Sequence, residues 1–422
     1  MKQFPLWVDQ EPRPDGLTSD LPEEADVLVV GSGFTGLSAA LRLAAAGRSV
    51  VVADAGPLAR GASSMNGGFV SSDVKAGVKS VFRDHGPAVA REMWETSMRA
   101  LERARELAER TGSLIHDSGA VALGKGKGDL EDIRATVDWY NRELGAGWEV
   151  AGPEDIGRYV GGEAFDCAMV ETDSFGVHPA RLAFGLAAEV TGAGAVLVEE
   201  CEVVSIRPEG GGNLAETTKG PIRAGEVILA TNGYTTTRPS EKLARKIVPI
   251  GSYMIATEPV GHATAERVFP NGTMAYTRKR LLHYMRRTED DRIVIGGRRN
   301  LHPGLDLEES AADLRRAMLR YWPELEGYGI THVWGGKLAV PFDLLPHVGK
   351  VDGHWYALGY AGHGVALAIG LGHDLAGMVL GEDPPSVFSR IPHRGRFYWN
   401  GKNPWFLTPA SLLYRTLDRI GR

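Results

Sequence analysis

The sequence predicts an α/β chain in which a parallel-stranded domain is assembled from distant pieces, with an antiparallel β-rich domain inserted between them. Three observations carry this. An apolar run, "DVLVV" (26–30), meets a glycine turn and the helical pattern "FTGLSAALRLAAAG", and a second apolar run, "SVVVAD" (49–54), follows. Apolar runs bounded by glycine read as buried parallel strands, and the helix between them completes a βαβ unit. The same order of strand, glycine turn and helix returns near the end of the chain in "HWYALGYAGHGVALAIGLG" (354–372). Between the two, residues 245–300 alternate in "VPIGSYMIATEP" and "LLHYMRRTEDDRIVIGGRR", as half-buried antiparallel strands do.

Taken in order, residues 1–25 read as an extended, proline-rich lead-in, and Gly47 stops the first helix. "GPLARGASSMNGGFVS" (56–71) is a loop of small residues. "PAVAREMWETSMRALERARELAERTG" and "DLEDIRATVDWYNREL" are amphipathic helices whose charged faces are solvated. Residues 178–206 give helix, strand, strand, and "EVILATNGY" (226–234) is a buried strand ending in small polar residues. "EESAADLRRAMLRYW" is a further helix. The expected division is 1–85, 165–235 and 325–395 in the parallel-stranded domain, 86–164 and 236–324 in the inserted one, and 396–422 as a tail packed on the body.

Composition excludes several classes. With 43% hydrophobic and 24% charged residues, the 422-residue chain is globular and not disordered. A net charge of −6 offers no basic surface for nucleic acid. The two cysteines, Cys167 and Cys201, have no CxxC spacing. They imply neither disulfide framework nor metal site, and a cytoplasmic location is expected. No basic start followed by an apolar run marks a signal peptide. The apolar stretches 27–47 and 356–380 are broken by Gly, Ser and His, so a buried core is expected and not a membrane span.

The first glycine turn, Gly31-Ser32-Gly33-Phe34-Thr35-Gly36, matches G-x-G-x-x-G between strand and helix. Gly31 permits the turn, Gly33 lets backbone approach a pyrophosphate, and Gly36 lets helix and strand pack closely. The helix N-terminus offers free N–H groups to the anion. Asp54, at the end of the second strand, is placed to accept from ribose hydroxyls and would repel a 2′-phosphate. NAD and FAD both satisfy this pattern. "GASSMNGG" favours FAD, because Ser63, Ser64, Asn66, Gly67 and Gly68 form a second cradle that a mobile cofactor does not need. The second turn, with Gly359, Gly362 and Gly364, then has a role. Its helix N–H groups would face the pyrimidine edge of a flavin, where O2 and N1 gain negative charge on reduction.

With Trp7, "GSGFTGLSAA", "GASSMNGG", "HPARLAFGLA", "ATNGY", "GGR", "WGG", "LPHVG", "GYAGHGVAL" and "FYWNGKNPWFL" in order, the chain resembles the FAD-dependent oxidoreductases of the D-amino-acid-oxidase class. Within that class it is most similar to the gamma-glutamylputrescine oxidase branch, and the resemblance spans nearly the whole chain. It implies a Rossmann-like, discontinuous FAD-binding domain with an inserted substrate domain. The implied reaction is oxidation of a C–N bond of a primary or secondary amine by hydride transfer to flavin N5. The imine would hydrolyse to an aldehyde and an amine or ammonia, and O2 or another acceptor would reoxidise the flavin.

Position by position, the resemblance assigns Gly31, Gly33, Phe34, Thr35, Gly36, Asp54, Ala55, Ser63, Ser64, Asn66, Gly67 and Gly68 to FAD. It places the Val203 backbone at adenine and Thr231 near the diphosphate. Gly336, Gly359, Tyr360, Gly362, His363, Gly364 and Val365 fall at the ring.

Two departures bear on chemistry. Sarcosine-oxidase-like relatives carry an oxygen-activating lysine where this chain has Val294, so a dehydrogenase remains an alternative, as does a non-catalytic FAD-binding subunit of a complex. Glycine-oxidase-like relatives carry a carboxylate-binding arginine where this chain has Leu338, with Lys337 one position earlier. An amine without that carboxylate is therefore expected. No cysteine is placed for flavin attachment, so FAD is expected to be non-covalent.

A turn at Glu289-Asp290 would pair Met285 with Val294 and His283 with Gly296, turning His283 and Val294 toward the substrate and Ile293 and Ile295 toward helices. His283, Tyr284, Lys337 and His363 are the candidates for substrate binding and proton transfer. The tail combines Trp405, Phe406, Leu412 and Leu413 with Arg415, Arg419 and Arg422, a composition that also suits an interfacial helix. The expectation is that it packs on its own protein.

Overall fold

The structure, a computed structural model, describes residues 1–298, 301–304, 306–382 and 386–419, apart from the side chains of Arg415, Asp418 and Arg419. Arg422 and the side chains of Arg415 and Arg419 therefore lie outside the described residues.

Two eight-stranded sheets organise the chain. In the first, the apolar strands Glu24–Val30 and Val50–Ala53 pair in parallel, and Gly220–Leu229 runs parallel to Glu24–Val30 on its other side. Val196–Val198 extends one edge beyond Val50–Ala53. The hairpin Val203–Glu209 and Gly212–Thr217 covers the first half of Gly220–Leu229. His354–Leu358 pairs in parallel with its last residues. These five parallel strands therefore bring their carboxyl ends to one edge of the sheet, which is where ligands bind in open α/β sheets.

The second sheet is mostly antiparallel, in the order Ile330–Pro341, Ile247–Thr257, Ile293–Gly297, Tyr284–Arg287, Met274–Thr277, Ala120–Gly124, Cys167–Glu171, Glu149–Ala151. One of its faces is covered by the helix Leu307–Tyr321, whose Leu314 and Met318 pack on Ile293 and Ile295. The opposite face meets the first body through Met254, Ala256, Val294 and Trp334.

The apolar helix Val365–Leu380 lies between the helices Phe34–Ala45 and Pro87–Arg110. A Cβ at Gly370 would come within 2.3 Å of the Ala100 Cβ, and one at Gly372 within 2.4 Å of the Thr35 carbonyl oxygen. Glycine lets three helices touch, and this apolar stretch is interior core. Among the described residues no helix is long and apolar enough to cross a membrane.

Three expectations need correction. Strands Cys167–Glu171 and Ile330–Pro341 belong to the second sheet, and the helix Pro87–Arg110 packs with the first body. An amphipathic pattern fixes which face is buried and not which layer buries it. The lead-in is not wholly extended either: Leu6–Gln10 is a short helix. Its Trp7 is fully buried, donates to the Asn66 carbonyl at 2.8 Å and meets Trp334 edge-on.

In the tail, Trp399 donates to the carbonyls of Ala244 and Ile247, and Leu407 and Ser411 are buried. Trp405, Leu412 and Leu413 are exposed.

Candidate flavin site

A cavity of about 1200 Å³ runs from the first glycine turn, past the second, and on between the two sheets. Ligand pockets commonly span about 300–1,000 Å³, so this one has room for a dinucleotide and a substrate.

At one end stands the first turn. Gly31 has φ +106°, and a Cβ there would lie 2.8 Å from the Ala230 carbonyl oxygen. A Cβ at Gly36 would lie 2.0 Å from the Gly31 carbonyl oxygen. Gly36 therefore does not face the cavity but seats the helix on the strand. Asp54 accepts from the Ser32 N–H (2.8 Å) and hydroxyl (2.6 Å) through one oxygen and from the Gly56 N–H (3.0 Å) through the other. Its carboxylate is thus fixed at the cavity edge beside the turn.

Ser63, on the short helix Ala62–Met65, accepts from the Phe34 N–H at 2.9 Å. The neighbouring Ser64 is buried behind it and does not line the cavity. Asn66 caps that helix with its side chain: its amide donates to the Ala62 and Ser63 carbonyls, and its oxygen accepts from Gly68 N–H. Gly67 lines the cavity, whereas Gly68 is set against the Val177 carbonyl, so the close approach there is between protein segments. Phe34, Thr35, Ala55, Val203 and Thr231 line the cavity.

The second turn contributes Tyr360, Gly362, His363, Gly364 and Val365 to the lining. Gly364 gives the helix Val365–Leu380 no side-chain cap. Gly359 lies behind, its N–H donating to the Asn232 Oδ1 at 3.1 Å. Gly336 and Lys337 line the mouth, with the exposed Lys337 ammonium 5.8 Å from the Tyr234 ring centre. His363 is pushed down to about 3 by burial and by the charges of Lys75 and Arg298, and its Nδ1 has no hydrogen-bond partner. It stands as a neutral imidazole.

The hairpin departs from expectation by one residue. Tyr284 pairs with Gly296 and Arg286 with Val294. Thr288 N–H donates to the Arg292 carbonyl, leaving the three-residue loop Glu289-Asp290-Asp291, with Asp291 left-handed at φ +57°. A two-residue turn gives the expected register, but a three-residue loop ending in a left-handed residue shifts it by one, and a one-residue slip turns a strand over. Ile293 and Ile295 do face helices. It is Tyr284 and not His283 that lines the cavity. The Tyr284 ring lies over Gly67 and Gly296 and its hydroxyl is 3.1 Å from Ser252 Oγ. His283 is turned away, with Nδ1 2.8 Å from the Tyr321 hydroxyl. Val294 is buried in the interface between the bodies and does not reach the cavity.

Sequence reasoning missed the charged groups deeper in. Lys75, Arg298, Asp73 and Glu171 line the cavity with Tyr140 and Tyr276. Burial pushes Glu171 up to about 8, although Tyr276 and Ser174 donate to it. Burial likewise raises Asp73 to about 6 against the hydrogen bond from Tyr140. Two signals were available: Glu171 closes the otherwise apolar strand "CAMVE", and Lys75 is a lone cation in a loop of small residues.

The arrangement fits FAD on its own terms. Two helix N-termini open into one cavity, an acid is fixed beside the first, and close-packed glycines bring backbone to the lining. Parallel strands, paired turns and a cavity shared with a second sheet define a dinucleotide-dependent redox enzyme. Residues 26–378 match the family of FAD dependent oxidoreductases (DAO), and the chain belongs to it.

It is 30% identical over 368 residues to the probable oxidoreductase OrdL of Haemophilus influenzae, covering 86% of this chain and 84% of that one. It is 28% identical over 399 residues to the gamma-glutamylputrescine oxidoreductase of Escherichia coli, covering 94% and 93%. Among solved structures it is similar to glycine oxidase from Geobacillus kaustophilus, with a TM-score of 0.74 at 22% identity over 89% of this chain and 100% of that one. The chain is an FAD-dependent oxidoreductase.

Proposed function

We propose that this enzyme oxidises the C–N bond of an amine or amino acid. The observation that carries the reading is the single cavity joining both glycine turns to Tyr284, Lys75, Asp73 and Arg298 at its inner end. A flavin lying along the turns would leave that end for substrate. The similarity to gamma-glutamylputrescine oxidoreductase and glycine oxidase supports the same substrate chemistry.

Bound FAD supplies the hydride acceptor. Gly31, Gly33 and Asp54 would hold the dinucleotide, Ser63 and Asn66 brace the loop beside it, and the turn at Gly362–Val365 would offer its N–H groups to the ring. Tyr284 walls the substrate space and excludes water. Oxidation requires the neutral amine, and Asp73, raised to about 6 by burial, is ionised at neutral pH and able to accept the ammonium proton. The imine then adds water to give a carbonyl compound and an amine or ammonia. FAD is held without a covalent bond, and the two free, buried cysteines fit a reducing cytoplasm.

Turnover of an amine panel with O2 or an artificial electron dye, with the carbonyl product trapped as a hydrazone, tests the reading. One hydrazone per two electrons passed to the acceptor is expected. Acceptor reduction without a carbonyl product contradicts it. Comparing O2 with the dye decides oxidase against dehydrogenase.

A further inference from the structure

The end of the chain carries a surface that the flavin site does not use. Residues 391–417 contain no Asp or Glu, although the chain as a whole has a net charge of −6. The same stretch holds the exposed cations Arg394, Arg396 and Lys402. Phe397 is fully exposed, Tyr398 is exposed, and Trp405, Leu412 and Leu413 are each more than half exposed.

These side chains stand on a fixed base. The buried Trp399 donates to the Ala244 and Ile247 carbonyls, and Lys246 Nζ donates to the His393 carbonyl at 2.7 Å. From this base the rings run outward edge to face. Trp399 meets Phe406 at 5.7 Å, Phe406 meets Trp405 at 5.9 Å and Tyr398 at 5.3 Å, and Tyr398 meets Phe397 at 5.4 Å. Phe342 joins against Tyr398, and the Arg396 guanidinium lies 5.9 Å from its ring centre. Phe342 follows the strand Ile330–Pro341, whose residues Gly336 to Ala339 line the flavin cavity, so patch and site share an element.

The helix Leu407–Arg419 adds to the surface. Leu407, Ser411 and Tyr414 recur at helical spacing on the face that packs on the body. Leu412 and Leu413 fall outside that face, where an amphipathic helix resting only on its own protein would place polar residues.

A contiguous set of exposed apolar side chains marks a binding surface, and the groups around it select the partner. Aromatic rings suit the headgroup boundary of a bilayer, and Arg and Lys suit anionic headgroups. Two acids on adjoining elements are engaged: Glu241 pairs with Arg245 at 3.3 Å and Asp343 with His347 at 2.9 Å. A second copy of the chain is the poorer fit, because a two-fold contact sets the same patch against itself and brings like cations together.

We propose that this surface docks on an anionic lipid bilayer. Phe397, Trp405, Leu412 and Leu413 enter the headgroup boundary, and Arg394, Arg396 and Lys402 meet the lipid phosphates. The attachment is peripheral, since among the described residues no helix is long and apolar enough to cross a membrane.

Co-sedimentation of the FAD-loaded enzyme with vesicles tests this without any substrate. Vesicles of phosphatidylglycerol and phosphatidylcholine in equal parts should bind at least about tenfold more enzyme than pure phosphatidylcholine. The excess should fall steeply between about 0.1 M and about 1 M salt, as the charges are screened. Arg394→Gln combined with Lys402→Gln should remove most of the anionic preference. Trp405→Ser combined with Leu412→Ser should weaken binding about tenfold or more at an unchanged flavin spectrum. Phe397→Ser, at a fully exposed position off the helix, gives a second reading and should weaken binding about threefold or more. Equal binding to both vesicle types overturns the proposal, as does wild-type binding by all the variants. A concentration-dependent dimer that the same substitutions dissolve, from a protein that neither vesicle type sediments, also overturns it and assigns the surface to a second copy.

Discussion

Thr35, in the first glycine turn, and Tyr360, in the second, share a hydroxyl–hydroxyl hydrogen bond of 2.7 Å across 325 positions of sequence. Both are buried, and the bond ties together the two helix N-termini that open into the cavity. Thr35→Val and Tyr360→Phe should each weaken FAD retention by about two- to tenfold, in line with roughly 0.5–1.5 kcal/mol for a neutral hydrogen bond. The double variant should lose less than the sum, because both changes remove one interaction. FAD titration of the four proteins checks this, and strict additivity would show the turns to be independent.

Asp54 is held beside the first turn by three donors from Ser32 and Gly56. Asp54→Ala should weaken FAD binding by on the order of 1.5–3 kcal/mol, the range for a hydrogen bond to a charged group. Equilibrium dialysis against FAD reads this directly. Unchanged affinity would remove Asp54 from the ribose.

Reversal of the hairpin reverses a mutational expectation. On the predicted register His283→Ala would slow flavin reduction about tenfold. With His283 bonded to Tyr321 outside the cavity, it should leave the reduction rate within about twofold and lower thermal stability instead. Tyr284→Phe loses the hydroxyl that faces Ser252 and should alter reduction while FAD stays bound. Stopped-flow reduction of both variants separates the two geometries, and a slow His283→Ala with a normal Tyr284→Phe would restore the predicted one.

Glu171 links the cavity to pH. Its folded value of about 8 lies above the ordinary 4.5 of an exposed glutamate. Between those values the folded chain holds a proton that the unfolded chain has released, so stability falls as pH rises through that window. Glu171→Gln removes this slope. Its melting temperature relative to wild type should rise steadily from about pH 5 to about pH 8. Parallel curves would mean that Glu171 ionises freely in the folded state.

Much of this was readable from residues alone. Apolar runs beside glycine identified Val27–Val30 and Val50–Ala53, because a strand buried on both faces leaves no polar alternation. The G-x-G-x-x-G spacing identified the turn, because Gly31 and Gly36 tolerate no side chain where they stand. The hairpin register was not readable, since it depends on Asp291 adopting a left-handed conformation that aspartate tolerates but does not advertise. Lys75 and Arg298 meet only through the tertiary fold, and no local pattern brings a loop before one helix to the end of a strand more than two hundred residues away. Ser64 was misplaced for a simpler reason: on the helix Ala62–Met65 adjacent serines point about 100° apart, so Ser63 can line the cavity while Ser64 is buried behind it.

Anaerobic mixing of the FAD-loaded enzyme with a panel of amines and amino acids tests the central claim most directly. The account predicts that at least one compound bleaches the visible flavin band at a saturating rate, slowed when the carbon bearing nitrogen is deuterated. No bleaching by any member of the panel, from a flavin that dithionite reduces fully, would contradict it.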